Sequence, residues 1–113
     1  MSIYLDHAAT SPLRPEIVAL WQELQQRPLG NPSSIHRAGH AARMYLETAR
    51  EECANLLGAQ VEEVVFTSGA TEANNLAIFG WMRQQAPGAH CLVSSIEHPS
   101  AYEAALALRG EGF

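Results

Sequence analysis

The stretch FTSGATEANN, Phe66 to Asn75, joins a strand-like ending to a helix-like run through a glycine and a hydroxyl residue. A loop that leaves the carboxyl end of a parallel strand and opens a helix gathers free backbone amides at the positive end of the helix dipole. Gly69 lets the backbone approach a ligand closely, the Ala70 amide can donate, and Thr71 adds a hydroxyl donor. The stretch therefore predicts a binding site for the phosphate of a small ligand.

The same stretch also fits an ordinary turn between a strand and a helix. In that interpretation Ser68 or Gly69 caps the helix, and Glu72 is favourably placed in its first turn. The sequence contains neither GxGxxG nor GxxxxGK[ST], the patterns of dinucleotide and nucleoside triphosphate sites. Among phosphate ligands, a phosphorylated cofactor is therefore favoured.

Around this loop the second half of the chain alternates between two kinds of element. Strands are predicted at 63–67 and in HCLVSS, 90–95, and helices in NNLAIFGWM, 74–82, and over Pro99 to Arg109. Alternation of this kind is typical of an α/β fold with a parallel sheet and right-handed crossovers. Two such strands leave open edges, so we expect the sheet to need further strands.

The first half of the chain is predicted to be helical. Apolar residues at helical spacing predict a first helix over Glu16 to Gln26. The stretch GNPSSIH, 30–36, is a specified loop whose Ser33 or Ser34 can cap a second helix, and Gly58 is the expected end of that helix. The apolar stripe of this helix comprises Ala38, Ala42, Tyr45, Ala49, Cys53 and Leu56, with Arg43 and Glu47 paired on its wet side.

Composition limits the classes of partner. The 113 residues carry a formal net charge of -5, and their seven basic residues are all arginines scattered singly, so neither nucleic acid nor an anionic membrane is expected. Cys53 and Cys91 lack metal or disulfide spacing and are predicted to be free thiols. We expect a soluble cytoplasmic protein.

Four separated stretches resemble, in order and spacing, the N-terminal part of the cysteine desulfurases of the NifS and IscS type. They are YLDHAATSPL, GNPSSIHRAG, FTSGATEANNLAI and SSIEHPS. That family belongs to aminotransferase class V, uses pyridoxal 5'-phosphate and has the fold-type I architecture. The resemblance implies helices of the small domain over 1–58, followed over 59–113 by the first β-α-β-α units of the large, cofactor-binding domain.

The resemblance also implies roles for particular residues. Ala70 and Thr71 match the positions that hold the cofactor phosphate, and His98 matches the histidine that stacks on the pyridine ring and helps in proton transfer. The family reaction takes sulfur from L-cysteine, releases L-alanine and leaves a persulfide on an enzyme cysteine for iron-sulfur cluster or thio-cofactor assembly. A sulfur-acceptor or scaffold protein and a homodimer of the complete enzyme are the implied partners.

Three groups that the family reaction needs are not found in the matched stretches. These are the Schiff-base lysine, the aspartate at the pyridinium nitrogen and the loop cysteine. The chain has no lysine, and its only aspartate, Asp6, lies in the N-terminal motif. We therefore expect the chain on its own to be inactive, as the N-terminal part of a longer enzyme. Cys53 and Cys91, on apolar segments, are interpreted as packing residues.

Further residues leave alternatives open. His36 and His40 have the i, i+4 spacing of zinc ligands, but no HExxH accompanies them, so no metal site is predicted. His7 stands where the family commonly has asparagine, which makes the substrate less certain. The alternatives are another class V enzyme, such as a selenocysteine lyase, and a non-catalytic module that binds phosphate ligands or a desulfurase subunit.

Overall fold

A computed structural model of the chain describes residues 3–113. It contains four α-helices: α1, Pro15–Gln25; α2, Arg37–Leu57; α3, Ala70–Met82; and α4, Pro99–Leu108. Short 3₁₀ turns cover Val61–Glu63 and Arg109–Glu111. The chain divides into two compact units, one ending at Val64 and the other beginning at Val65. The domain assignment inferred from the resemblance, 1–58 and 59–113, stays a prediction.

The first unit is built on α1 and α2. The prediction of α1 is confirmed to within one residue at each end, because Pro15 presets the backbone of the first turn. Gly58 ends α2 in the left-handed conformation, with φ 66°, as predicted. The predicted cap of α2 is wrong: neither Ser33 nor Ser34 serves, and the His36 side chain instead accepts from the Gly39 amide.

The loop GNPSSIH is specified by close backbone packing against α2. The Gly30 amide donates to the Ala38 carbonyl at 3.2 Å, and the Ser34 amide donates to the Asn31 carbonyl at 2.9 Å. A Cβ atom on Gly39 would lie 2.4 Å from the Ser34 carbonyl oxygen, so only glycine fits there. The loop thereby sets where α2 begins.

The predicted ion pair between Arg43 and Glu47 is not formed. The Arg43 side chain donates to the Pro32 carbonyl at 2.8 Å, so it supports the loop. Glu47 accepts instead from Arg50, one helical turn further on, at 3.1 Å. Arg43 and Glu47 do not pair because each has another partner, the Pro32 carbonyl for Arg43 and Arg50 for Glu47.

The second unit consists of α3, α4 and the connecting segments. The two helices pack together around Met82, Ala104 and Leu108, which are buried, and Leu108 is fully enclosed. Arg83, after the end of α3, makes two hydrogen bonds to the Glu111 carboxylate at 2.6 and 2.8 Å. This ion pair ties the end of α3 to the turn that follows α4.

The predicted β-α-β units are not confirmed. Within residues 3–113 no β-strand is formed: 64–67 and 89–94 run without regular structure between the helices. Val64 does have extended backbone angles, φ -97° and ψ 117°. A strand exists only when a neighbouring strand pairs with its amides and carbonyls, and these two segments do not pair with each other.

None of the helices within residues 3–113 has both the length and the apolar character of a membrane span.

Candidate functional site

The start of α3 presents three unused amides. Gly69 precedes the helix in an extended conformation, φ 167°, and Ala73 makes the first helical hydrogen bond, to the Gly69 carbonyl at 3.1 Å. Among residues 3–113 the amides of Ala70, Thr71 and Glu72 have no hydrogen-bond acceptor. The side chain of Thr71 is exposed beside them. A helix start of this kind favours an anion.

The loop before α3 is held by short local hydrogen bonds. The Ser68 amide and hydroxyl both donate to the Glu72 carboxylate, at 2.7 and 2.6 Å, and the Thr67 hydroxyl donates to the Gly69 carbonyl at 3.1 Å. The two donors of Ser68 lower the pKa of Glu72, with the hydroxyl contributing most. Glu72 therefore stays ionised and fixes the loop from within the first turn of the helix.

The start of α4 is built on His98. Pro99 occupies the first helical position, and His98 Nδ1 accepts a hydrogen bond from the Ser100 amide at 3.1 Å. His98 is therefore the N-cap of α4, a position that it shares with His36 in α2. Its Nδ1 edge faces the helix, and its side chain as a whole is exposed.

Side chains of α3 bring the two helix starts together. Asn74 Nδ2 donates to Ser100 Oγ at 2.8 Å. Asn75 Nδ2 donates to the Thr71 carbonyl at 2.8 Å and lies 3.5 Å from the Ser100 carbonyl. Ala70 and Thr71 thus belong to the same packed pair of helices as His98. The positive ends of two helix dipoles lie in one region, which favours a bound anion.

Asn74, Asn75 and Ser100 were missed by the sequence predictions of the site. A signal for them was present, because two adjacent asparagines inside an otherwise apolar helix are poor helix formers whose amides need partners. Ser100 looked like an ordinary first-turn residue. Only the packing of α3 on α4 shows that these side chains meet.

The other candidate residues from the sequence are His7, His36, His40 and the two cysteines. His36 is used by the cap of α2, and within residues 3–113 no group of three or more histidine, cysteine, aspartate or glutamate side chains could hold a metal ion. Cys53 and Cys91 are free, half-buried thiols. His7 packs edge-on against the Tyr4 ring, with 5.0 Å between ring centroids.

Comparison with known proteins assigns the family. The model of the aminotransferase class-V family matches residues 3–112. The chain therefore belongs to the aminotransferase class-V family. The match supports the predicted fold-type I architecture, which is that of the family.

Relatives within the family carry a more specific name. The chain is 42% identical over 112 residues to the cysteine desulfurase IscS of Dictyoglomus turgidum, covering 98% of this chain and 28% of that protein. It is 43% identical over 111 residues to cysteine desulfurase IscS 1 of Archaeoglobus fulgidus, covering 97% and 29%. It is 47% identical over 104 residues to a cysteine desulfurase of Frankia sp., covering 91% and 25%. The predicted resemblance to the NifS and IscS type is confirmed, and the chain spans less than a third of the length of these relatives.

Proposed function

We propose that these residues form the N-terminal part of a cysteine desulfurase that depends on pyridoxal 5'-phosphate. The complete enzyme would remove sulfur from L-cysteine, release L-alanine and pass a persulfide to an acceptor or scaffold protein for iron-sulfur cluster or thio-cofactor assembly. One observation carries the proposal: the open first turn of α3 and the His98 cap of α4 lie in one packed pair of helices. The name of these relatives, cysteine desulfurase, supports L-cysteine as the substrate.

The residues present fit a phosphate group. Three amides that have no acceptor among the described residues, and one exposed hydroxyl, are the donors that a phosphate dianion needs. A Cβ atom on Gly69 would meet nothing within 4 Å, so the space beside these donors is open. Glu72 adds a negative charge to the same turn, but its carboxylate is engaged by two donors of Ser68. The phosphate would therefore be bound by these donors in the presence of one fixed negative charge.

Each residue has a distinct task in this proposal. The Ala70 amide and the Thr71 amide and hydroxyl hold the phosphate, and this orients the rest of the cofactor. The flat imidazole of His98 would pack on the cofactor ring and would take part in proton transfer. Bound pyridoxal phosphate supplies an electron sink for bond breaking at the substrate.

The remaining parts of the reaction are assigned to residues outside this sequence. The 113 residues contain no lysine to hold the cofactor covalently, so we propose that they are inactive by themselves. The complete enzyme is proposed to be a cytoplasmic homodimer. The segments at 64–67 and 89–94 are proposed to be strands of its parallel sheet, each paired with strands formed by residues outside this sequence.

Replacing Thr71 tests the proposal. In the complete protein we expect Thr71→Ala to raise the cofactor dissociation constant roughly tenfold, because a hydrogen bond to a charged phosphate contributes about 1.5 kcal/mol or more. Absorbance of the cofactor retained after dialysis measures this, and Thr71→Ser should restore retention. Thr48→Ala, an exposed threonine on α2, is the matched control.

Activity is measured separately, as alanine and persulfide formed from L-cysteine. Normal cofactor retention in Thr71→Ala would remove the phosphate role. Absence of alanine from L-cysteine, with turnover of L-selenocysteine instead, would replace the desulfurase by a selenocysteine lyase.

A further inference from the structure

Ser100 lies buried between α3 and α4, with 8% of its surface exposed, and its hydroxyl connects the side chains of Asn74 and His98. Ser100 Oγ accepts from Asn74 Nδ2 at 2.8 Å and lies 2.8 Å from His98 Nδ1. These contacts form a continuous line of three side chains that ends on the histidine ring.

The backbone decides which groups donate and which accept in this line of hydrogen bonds. The Ser100 amide can only donate, and it points at His98 Nδ1 at 3.1 Å, so Nδ1 must carry a lone pair. The Ser100 hydroxyl therefore donates to the same nitrogen, and the lone pairs of Oγ are left for the Asn74 amide. In the neutral imidazole the proton must then reside on Nε2.

We propose that Asn74 and Ser100 are positioning residues that fix the ring plane and the tautomer of His98. Two donors hold its Nδ1 edge, and the Nε2–H is thereby directed away from the cap as the available donor. The consequence for a cofactor ring rests on the function proposed above, since a stacking imidazole needs a fixed plane. The hydrogen bonds themselves do not rest on it.

His36 provides an internal comparison. It caps α2 in the same way, with Nδ1 accepting from the Gly39 amide at 3.3 Å, but within residues 3–113 no hydroxyl donates to that nitrogen and no carboxamide from another helix supports it. A cap alone needs only one donor. The additional donor at His98, itself held by Asn74, therefore indicates a demand on the ring beyond ending a helix.

The test is a direct measurement of the tautomer. The complete protein, labelled with ¹⁵N only in its histidine rings, is examined by solid-state NMR, and the His98 and His36 signals are assigned with His98→Gln and His36→Gln variants. We expect Nε2 of His98 to be protonated in the native protein. In Ser100→Ala the two nitrogen signals of His98 should move toward each other as the second tautomer becomes populated, while those of His36 stay unchanged.

Two further variants keep the test decisive. Ser100→Thr retains the hydroxyl and should restore the native His98 signals. Asn74→Ala replaces a poor helix former by the best one, so α3 is retained, and the His98 signals should shift in the same direction by a smaller amount. The cofactor dissociation constant should rise about threefold to tenfold in Ser100→Ala, as expected for one neutral hydrogen bond.

The outcomes separate this inference from the proposed function. Native His98 signals in both Ser100→Ala and Asn74→Ala would overturn the positioning role, whatever the enzyme does. Shifted signals that are restored by Ser100→Thr would support it, even if L-cysteine proved not to be the substrate. A shift of equal size at His36 would also overturn it, because the effect would then be general unfolding.

Discussion

At the scale of single residues, the two histidine caps show how a helix start can orient an imidazole ring. A histidine that caps a helix through Nδ1 keeps that nitrogen as the acceptor of a backbone amide, which favours a proton on Nε2. His36 and His98 both have this arrangement. For His98, the cap gives an orientation that a catalytic histidine would otherwise obtain from a carboxylate or a carbonyl.

Gly39 is the residue at which packing and helix propensity make opposite predictions. It lies in α2, where replacing glycine by alanine would ordinarily raise the free energy of unfolding by up to about 1 kcal/mol. Its Cβ position, however, is 2.4 Å from the Ser34 carbonyl oxygen and 2.7 Å from that of Asn31. Because backbone atoms must shift to admit a methyl group, we expect Gly39→Ala to lower the free energy of unfolding by about 2 to 3 kcal/mol.

Denaturant unfolding measures this change. Gly80→Ala is the matched control, since Gly80 lies in α3 and a Cβ atom there would meet nothing within 4 Å of it. That substitution should be neutral or stabilising. An unchanged midpoint for Gly39→Ala would mean that the loop does not pack against α2 as described.

At the scale of elements, the second unit is held at both ends by carboxylates. Glu72 accepts from Ser68 at the start of α3, and Glu111 pairs with Arg83 at its end. The hydrogen bonds from Ser68 lower the pKa of Glu72, and those from Arg83 lower the pKa of Glu111. Each group lowered in this way stabilises the fold fully above the ordinary glutamate pKa of about 4.3, and the contribution is lost as the pH falls through the lowered value.

We therefore expect the protein to lose stability as the pH falls below about 4.3, and Glu111→Gln to remove part of this dependence. The thermal midpoint, followed by circular dichroism between pH 7 and pH 3, measures it. Glu103→Gln, at an exposed position on α4 with no ion pair among the described residues, is the control. A pH dependence in Glu111→Gln identical to that of the native protein would contradict the role of the ion pair.

The elements also show how far sequence patterns reach. All four helices were predicted, and α4 was predicted as Pro99 to Arg109 against an observed Pro99–Leu108, because Pro99 and the apolar spacing act locally. The N-cap of α2 was misassigned, since histidine is not among the usual capping residues and the amides of Ser33 and Ser34 donate to Asn31 in a turn before the helix. Local sequence pattern alone could not establish the two predicted strands, because strand pairing depends on residues far away in sequence.

At the scale of the whole molecule, the candidate site was predictable only in part. Ala70, Thr71 and His98 were identified from motifs whose residues are close in sequence, and their roles remain predictions. The line of hydrogen bonds from Asn74 through Ser100 to His98 begins with a bond between Asn74 and Ser100, which are 26 positions apart in sequence. Contacts of that kind depend on how two helices pack, and a single sequence gives no periodic signal for them.

Many large apolar side chains of the described residues face solvent, and this predicts how the 113 residues behave by themselves. Leu92 and Ile96 are 96% and 91% exposed, and Leu56 and Trp81 are 86% and 68% exposed. Apolar surface on this scale ordinarily marks contact with other protein. We expect the 113-residue polypeptide alone to self-associate and to bind a hydrophobic dye, whereas the complete protein should do neither beyond its native oligomer.

Light scattering coupled to size-exclusion chromatography measures the association, and dye fluorescence measures the exposed apolar surface. Leu92→Ser together with Ile96→Ser should reduce both signals in the 113-residue polypeptide. The control is Glu51→Gln together with Glu62→Gln, which removes charge from exposed positions without changing apolar area. A stable monomer of 12.3 kDa that binds no dye and unfolds cooperatively would contradict the prediction, since it would show that these faces need no further protein to cover them.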